Sequence, residues 1–143
     1  MKVLVLHGPS LDTLGSREVE VYGDQTLDQI NDAIEAEAES LGLEVEIHQT
    51  AREGEIIERI LGAKDRVAAG ILNPAAYSHT SRAIADAVRA VDYPVIEVHL
   101  SNIHAREPWR RRSVTAEAAA GVVAGFGVDS YLAALRLVKA LVS

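Results

Sequence analysis

Cysteine is absent from this 143-residue chain, which removes a disulfide framework, a thiolate metal site and a cysteine nucleophile together and suits a reducing cytoplasm. Lysine is scarce. Lys2 sits at the N-terminus, and Lys64 and Lys139 fall in segments with helical patterning, so Schiff-base chemistry has no candidate. The opening HGPSLDTLG follows neither GxGxxG nor GxxxxGK[ST], which sets aside dinucleotide and P-loop phosphate binding. The strand-end acidic cluster of a receiver domain is also missing, since those positions hold His7, Asn73 and His99. No apolar run approaches a membrane span, and the one in MKVLVLHGPS is too short for a signal sequence, so no membrane partner is expected. An excess of positive charge is lacking too: 14 Lys and Arg stand against 21 Asp and Glu, a net charge of −7, which argues against nucleic-acid binding. Arg110, Arg111 and Arg112 are a local exception that suits a small anion. His99 and His104 are five apart across a strand end, no histidine pair has i, i+4 spacing, and no carboxylate falls among them in a ligand pattern. No metal is therefore expected.

What is present is an alternation of strands and helices. Lys2 to Leu6 reads as an apolar strand broken at His7-Gly8-Pro9-Ser10. Residues 10–25 have no sustained period and carry Gly15 and Gly23, which predicts a loop of a length that is usually functional, here a candidate lid. Thr26 with Gln29 forms a capping box for a helix with Ile30, Ile34 and Ala38 on one face, stopped by Gly42. Leu43 to Gln49 alternates as a half-exposed edge strand. A helix from Glu53 to about Arg66, a short strand at Gly70 to Leu72, a helix through Ile84, Ala87 and Val88 ending before Pro94, and a strand from Val95 follow. The apolar run from Ala118 to Gly125 reads as a fifth strand, although its alanines also suit a helix, and a last helix starts at Asp129. Five such repeats predict one α/β domain over residues 1–143, flavodoxin-like, with a parallel sheet in the order 2-1-3-4-5 and helices on both faces. That order brings the ends of strands 1, 3 and 4 to one crevice.

The stretch VIEVHLSNIHAREPWRRR, residues 95–112, is the richest in chemistry. A buried strand that turns abruptly into imidazole, hydroxyl, amide and guanidinium groups marks the ligand edge of an open sheet. His99 could act as a general acid, with Glu97 or a backbone carbonyl orienting its ring. Ser101 and neighbouring N–H groups could grip a carboxylate, and Arg110 could add charge. Arg17 and Tyr22 share the glycine-bounded loop; a phenol is a poor base at neutral pH unless a cation such as a guanidinium favours its ionised form. Spacing alone favours Tyr22 as a packing aromatic and Arg17 as a surface charge, and reads His79 equally as a loop histidine and Asp86 as an ordinary helix acid.

HGPSLDTLGSREVEVYG, NPAAYSHTS with Asp86 beyond it, EVHLSNIHAREPWR and GVVAGFGVDSY together resemble type II 3-dehydroquinate dehydratase, the small flavodoxin-like enzyme of the shikimate and quinate pathways. The resemblance runs nearly end to end and implies a cofactor-free, metal-free anti elimination of water from 3-dehydroquinate through an enolate. It implies Tyr22 as the base that takes the C2 proton, Arg17 as its electrostatic activator, His99 as the acid for the departing hydroxyl, and Asn73 as the holder of that hydroxyl. Leu100 N–H and Ser101 are similar to the family's carboxylate grip. His79, Arg110 and Asp86 match residues that hold the ring hydroxyls, Glu97 an acid beside His99, and Arg106 a structural ion-pairing residue. The implied assembly is a dodecamer of four trimers, with Asp86 reaching a neighbouring subunit. The family usually reads NGPNLNLLG where this chain has HGPSLDTLG; Ser10 then offers one donor instead of two to the water that stabilises the enolate, a loss worth ~3 kcal/mol in comparable sites. His7 is a candidate to help order that water. The altered segment leaves two alternatives open: a paralogue running the same elimination on a related cyclic hydroxy-ketone acid, or a catalytically weak anion-binding protein.

Overall fold

The alternating apolar residues of β1 (Lys2–His7) set the architecture. Val3 and Val5 face one layer of helices, Leu4 and Leu6 the other, and all four are buried. The computed structural model describes residues 1–16 and 18–142. In it β1 pairs in parallel with β2 (Glu44–Gln49) and β3 (Ala69–Asn73), β4 (Val95–His99) pairs with β3, and β5 (Gly121–Ala124) with β4. The order is β2-β1-β3-β4-β5, as the alternation predicts. Helices α2 (Leu27–Ser40) and α5 (Val128–Val142) cover one face; α3 (Glu53–Gly62) and α4 (Arg82–Ala90) cover the other. Among the described residues no helix is long and apolar enough to cross a membrane.

Local signals explain most boundaries. Thr26 Oγ1 accepts from the Gln29 N–H at 3.2 Å while Gln29 Oε1 accepts from the Thr26 N–H at 2.9 Å, so the capping box satisfies two end donors of α2. Gly42, at φ +71°, ends that helix where a side chain would be strained. Ser81 caps α4 through the Ile84 N–H. Gly8 is required for a different reason. Its N–H donates to Asn73 O at 2.8 Å, and a Cβ there would sit 2.8 Å from the Pro74 carbonyl. Only a bare backbone lets the end of β1 run this close to the end of β3.

Three expectations are corrected. The α3 helix stops at Gly62 instead of near Arg66, because the chain turns there, with Asp65 in a left-handed conformation. The fifth strand starts at Gly121, not Ala118; residues 115–120 are turns, with the Ala120 N–H bonded to Val95 O, and no helix forms over 116–124. Residues 10–25 are not a plain loop, since Leu11–Thr13 make a 3-10 turn and Val19–Tyr22 the short helix α1. Leu11 and Leu14 are buried in the core under α2 and α5, so burial, not local propensity, holds the first of these turns.

Candidate active site

The ends of β1, β3 and β4 enclose a crevice of about 250 Å³, closed on its far side by Pro9, Ser10, Leu11, Leu14 and Tyr22. Its polar lining comes from all of these: Ser10 and Tyr22, then Asn73 and His79, then His99, Ser101, Arg106 and Arg110. Leu11, Leu14, Leu100 and Ile103 supply an apolar wall. A small concave site with a few convergent polar groups on apolar walls is what binding of a compact polar ligand requires.

The β4 end carries the most constrained pair. His99 Nε2 lies 2.8 Å from Glu97 Oε2, with the two side chains 5% and 1% exposed. Glu97 also accepts from Ser113 Oγ at 2.6 Å and from Thr115 Oγ1. A buried carboxylate holding three donors fixes the ring and keeps a proton on Nε2, and no other protein partner of the His99 ring is found among the described residues. Glu97 does not line the crevice and acts on it only through His99.

Tyr22 closes the crevice from α1. Arg106 Nη1 donates to its hydroxyl at 2.7 Å, and the Arg106 Cζ stands 5.0 Å from the ring centroid. The nearest carboxylates to Arg106 are farther, Glu107 at 3.9 Å and Glu18 at 4.0 Å. The residue expected to serve only in ion pairing thus binds the phenol oxygen directly. Arg17, expected as the activator, lies outside the described residues.

Arg110 is stacked with its Cζ 4.0 Å from the Trp109 ring centroid, and its Nε donates to Glu107 at 2.8 Å. Both contacts leave the outer guanidinium nitrogens for an anion. His79 Nδ1 donates to the Arg112 carbonyl at 2.8 Å, which fixes the orientation of the ring at the crevice. Asp86 is not part of its own chain's crevice. It sits on the outer face of α4, its side chain 81% exposed, 3.5 Å from Arg89. Among the described residues no group of three or more His, Asp or Glu side chains is placed to hold a metal ion.

His7 departs from expectation. It faces away from the crevice, fully buried between α2 and α5, with Nδ1 2.8 Å from Tyr131 Oη and Nε2 2.8 Å from Asn31 Oδ1. The period of β1 explains this, because His7 shares the face of Val3 and Val5. Burial pulls its pKa down to about 4, only partly opposed by the Asn31 hydrogen bond. The unfolded chain takes up a proton near pH 6.5 and the folded one only near 4, so His7 lowers stability as pH falls through that window. Wild type is expected to lose about 3 kcal/mol more than His7→Gln between pH 7 and 4 in urea unfolding. Equal losses in the two proteins would contradict a neutral buried ring.

Ser113, Thr115, Asn31 and Tyr131 hold site groups in place yet carried no signal in sequence spacing. The apolar wall had one, the i, i+3 pair Leu11 and Leu14.

Comparison with known proteins gives a consistent result. The model of the family described as dehydroquinase class II matches residues 1–139. A protein of Geotalea daltonii named 3-dehydroquinate dehydratase is 52% identical over 138 residues, 96% of either chain. One of the same name from Desulforudis audaxviator is 50% identical over all of this chain and 95% of its own. The crystal structure of a type II dehydroquinase from Butyrivibrio crossotus superposes with a TM-score of 0.95 at 38% identity, covering 97% of both chains.

Proposed function

This chain belongs to the class II dehydroquinase family, and we infer that it dehydrates 3-dehydroquinate to 3-dehydroshikimate, a hydro-lyase step of the shikimate and quinate pathways. The ionised Tyr22 takes the C2 proton, the electron pair passes into an enolate at C3, and the C1 hydroxyl leaves as water with a proton from His99. Asn73 holds that hydroxyl, and a water at Ser10 meets the enolate oxygen. Leu100, Ser101 and Arg110 grip the carboxylate and ring. His79 binds a ring hydroxyl. The observation that carries this reading is the 2.7 Å bond from Arg106 to Tyr22 Oη at the mouth of a crevice that also contains His99. A guanidinium N–H aimed at a phenol oxygen stabilises the negative charge that appears there when the proton leaves.

The reading includes an assembly of four trimers in which Asp86 reaches a neighbour's crevice; its outward, exposed carboxylate supports that placement. It also includes work in the cytoplasm, which the lack of cysteine favours. The direct test is ultraviolet detection of the conjugated enone when purified protein meets 3-dehydroquinate. No signal above the uncatalysed rate would overturn the reading.

Ser10 is the group this scheme places at the enolate water. It lines the crevice at φ 69°, a left-handed conformation that asparagine tolerates better than serine. Ser10→Asn is therefore expected to add a donor at no cost in folding, and to raise kcat about 10-fold toward the limit of ~3 kcal/mol set by one oxyanion donor. An unchanged or lower kcat with an unchanged melting temperature would show that the enolate water is already fully held.

A further inference from the structure

Asn73 lies at the end of β3, opposite His7 in the sheet register. Its side chain makes two protein contacts. Oδ1 accepts from the Ala75 N–H at 3.1 Å, and Nδ2 donates to Tyr131 Oη at 3.0 Å. The Ala75 N–H can only donate, so the amide cannot be turned over without setting two donors face to face. The rest of the chain follows from that one anchor. Since Tyr131 Oη already accepts from Asn73, its own hydrogen must go to His7 Nδ1, 2.8 Å away. His7 then carries its hydrogen on Nε2 and gives it to Asn31 Oδ1 at 2.8 Å. Burial keeps both middle members in the forms this order needs, His7 neutral and Tyr131, whose pKa is pushed up, protonated.

We propose that His7 is a positioning residue: with Asn31 and Tyr131 it forms a one-way hydrogen-bond relay that locks the Asn73 amide, so that the remaining N–H of Nδ2 is what Asn73 offers to the departing hydroxyl. The proposal rests on the reading of Asn73 given above. The relay spans four elements, Asn31 on α2, His7 on β1, Tyr131 on α5 and Asn73 on β3. Its inner members are buried, and the His7 and Tyr131 rings meet edge to face with centroids 5.2 Å apart. Water therefore cannot substitute for a missing member without opening the core; loss of the Tyr131 hydroxyl leaves the Asn73 amide held only by Ala75, and loss of His7 leaves that hydroxyl without the acceptor that aims it, so either frees Asn73 to present other geometries to the substrate.

The test is a double-mutant cycle on 3-dehydroquinate turnover, with KM and kcat measured separately. Tyr131→Phe keeps the ring and removes the link; kcat is expected to fall about 10-fold, with KM changed by less than about 2-fold. In an Asn73→Ala background the same substitution should cost nothing further, because the group it acts through is gone. His7→Gln places an amide N–H and a carbonyl oxygen at about the spacing of the two ring nitrogens, and is expected to keep kcat within about 3-fold, whereas His7→Leu should match the fall seen in Tyr131→Phe. Two results overturn the relay: losses from Tyr131→Phe that multiply fully on those of Asn73→Ala, which would mark general loosening, or a His7→Gln enzyme as slow as His7→Leu. Wild-type kcat in Asn73→Ala alone would instead remove the role assigned to Asn73, and the relay with it. Should His7→Leu fail to fold, the Tyr131→Phe cycle decides the matter unaided.

Discussion

Tyr22→Phe is expected to lower kcat for 3-dehydroquinate by about 1,000-fold or more, within the range a positioned general base contributes, while leaving the fold and the affinity for an enolate mimic nearly intact. The substitution removes one oxygen. The ring still packs against the core beneath α2 and still lies beneath the Arg106 guanidinium, so contacts that do not involve the hydroxyl persist. What disappears is the atom proposed above to take the C2 proton. Exchange of that proton with deuterated solvent isolates this step from loss of water, and it should vanish along with the enone signal. A variant that still exchanges C2 hydrogen within about 10-fold of wild type would transfer the role of base elsewhere.

How much of this was legible in the sequence follows from which forces acted locally. The capping box at Thr26 and Gln29, the stop at Gly42 and the alternation of β1 are short-range signals, and the structure follows them. The convergence of His99, Asn73 and Ser10 followed from strand order, since parallel strands deliver their carboxyl ends to one edge. Other features were settled by contacts distant in sequence. The 3-10 turn at Leu11–Thr13 is held because Leu11 and Leu14 are buried in the core, whereas an isolated turn of that length has no stability of its own. The Arg106–Tyr22 bond joins residues 84 positions apart, and Glu97 is held by Ser113 and Thr115 from beyond the next loop. His7 is the instructive case. The two-residue period that assigned Val3 and Val5 to the buried face also assigns His7 to it, yet its place at a polar strand end suggested the crevice. Periodicity outranked position.

Arg106→Met is expected to reduce kcat/KM at neutral pH by about 100- to 1,000-fold, the range seen when one charge-stabilising donor is removed. Ion pairing alone would give a different outcome. The Glu18 and Glu107 carboxylates are half exposed and lie 3.9 to 4.0 Å from the guanidinium, a geometry worth under about 1 kcal/mol of stability and little activity. The 2.7 Å bond to Tyr22 Oη is the shorter and better directed contact, on a guanidinium only 11% exposed. Its removal should act on the chemistry more than on the fold. Arg106→Lys should recover only part of the loss, because an ammonium lacks the planar fork that aims Nη1. A methionine variant with wild-type kcat/KM and a lowered melting temperature would return Arg106 to a structural role and leave the ionised form of Tyr22 to be supported by other groups.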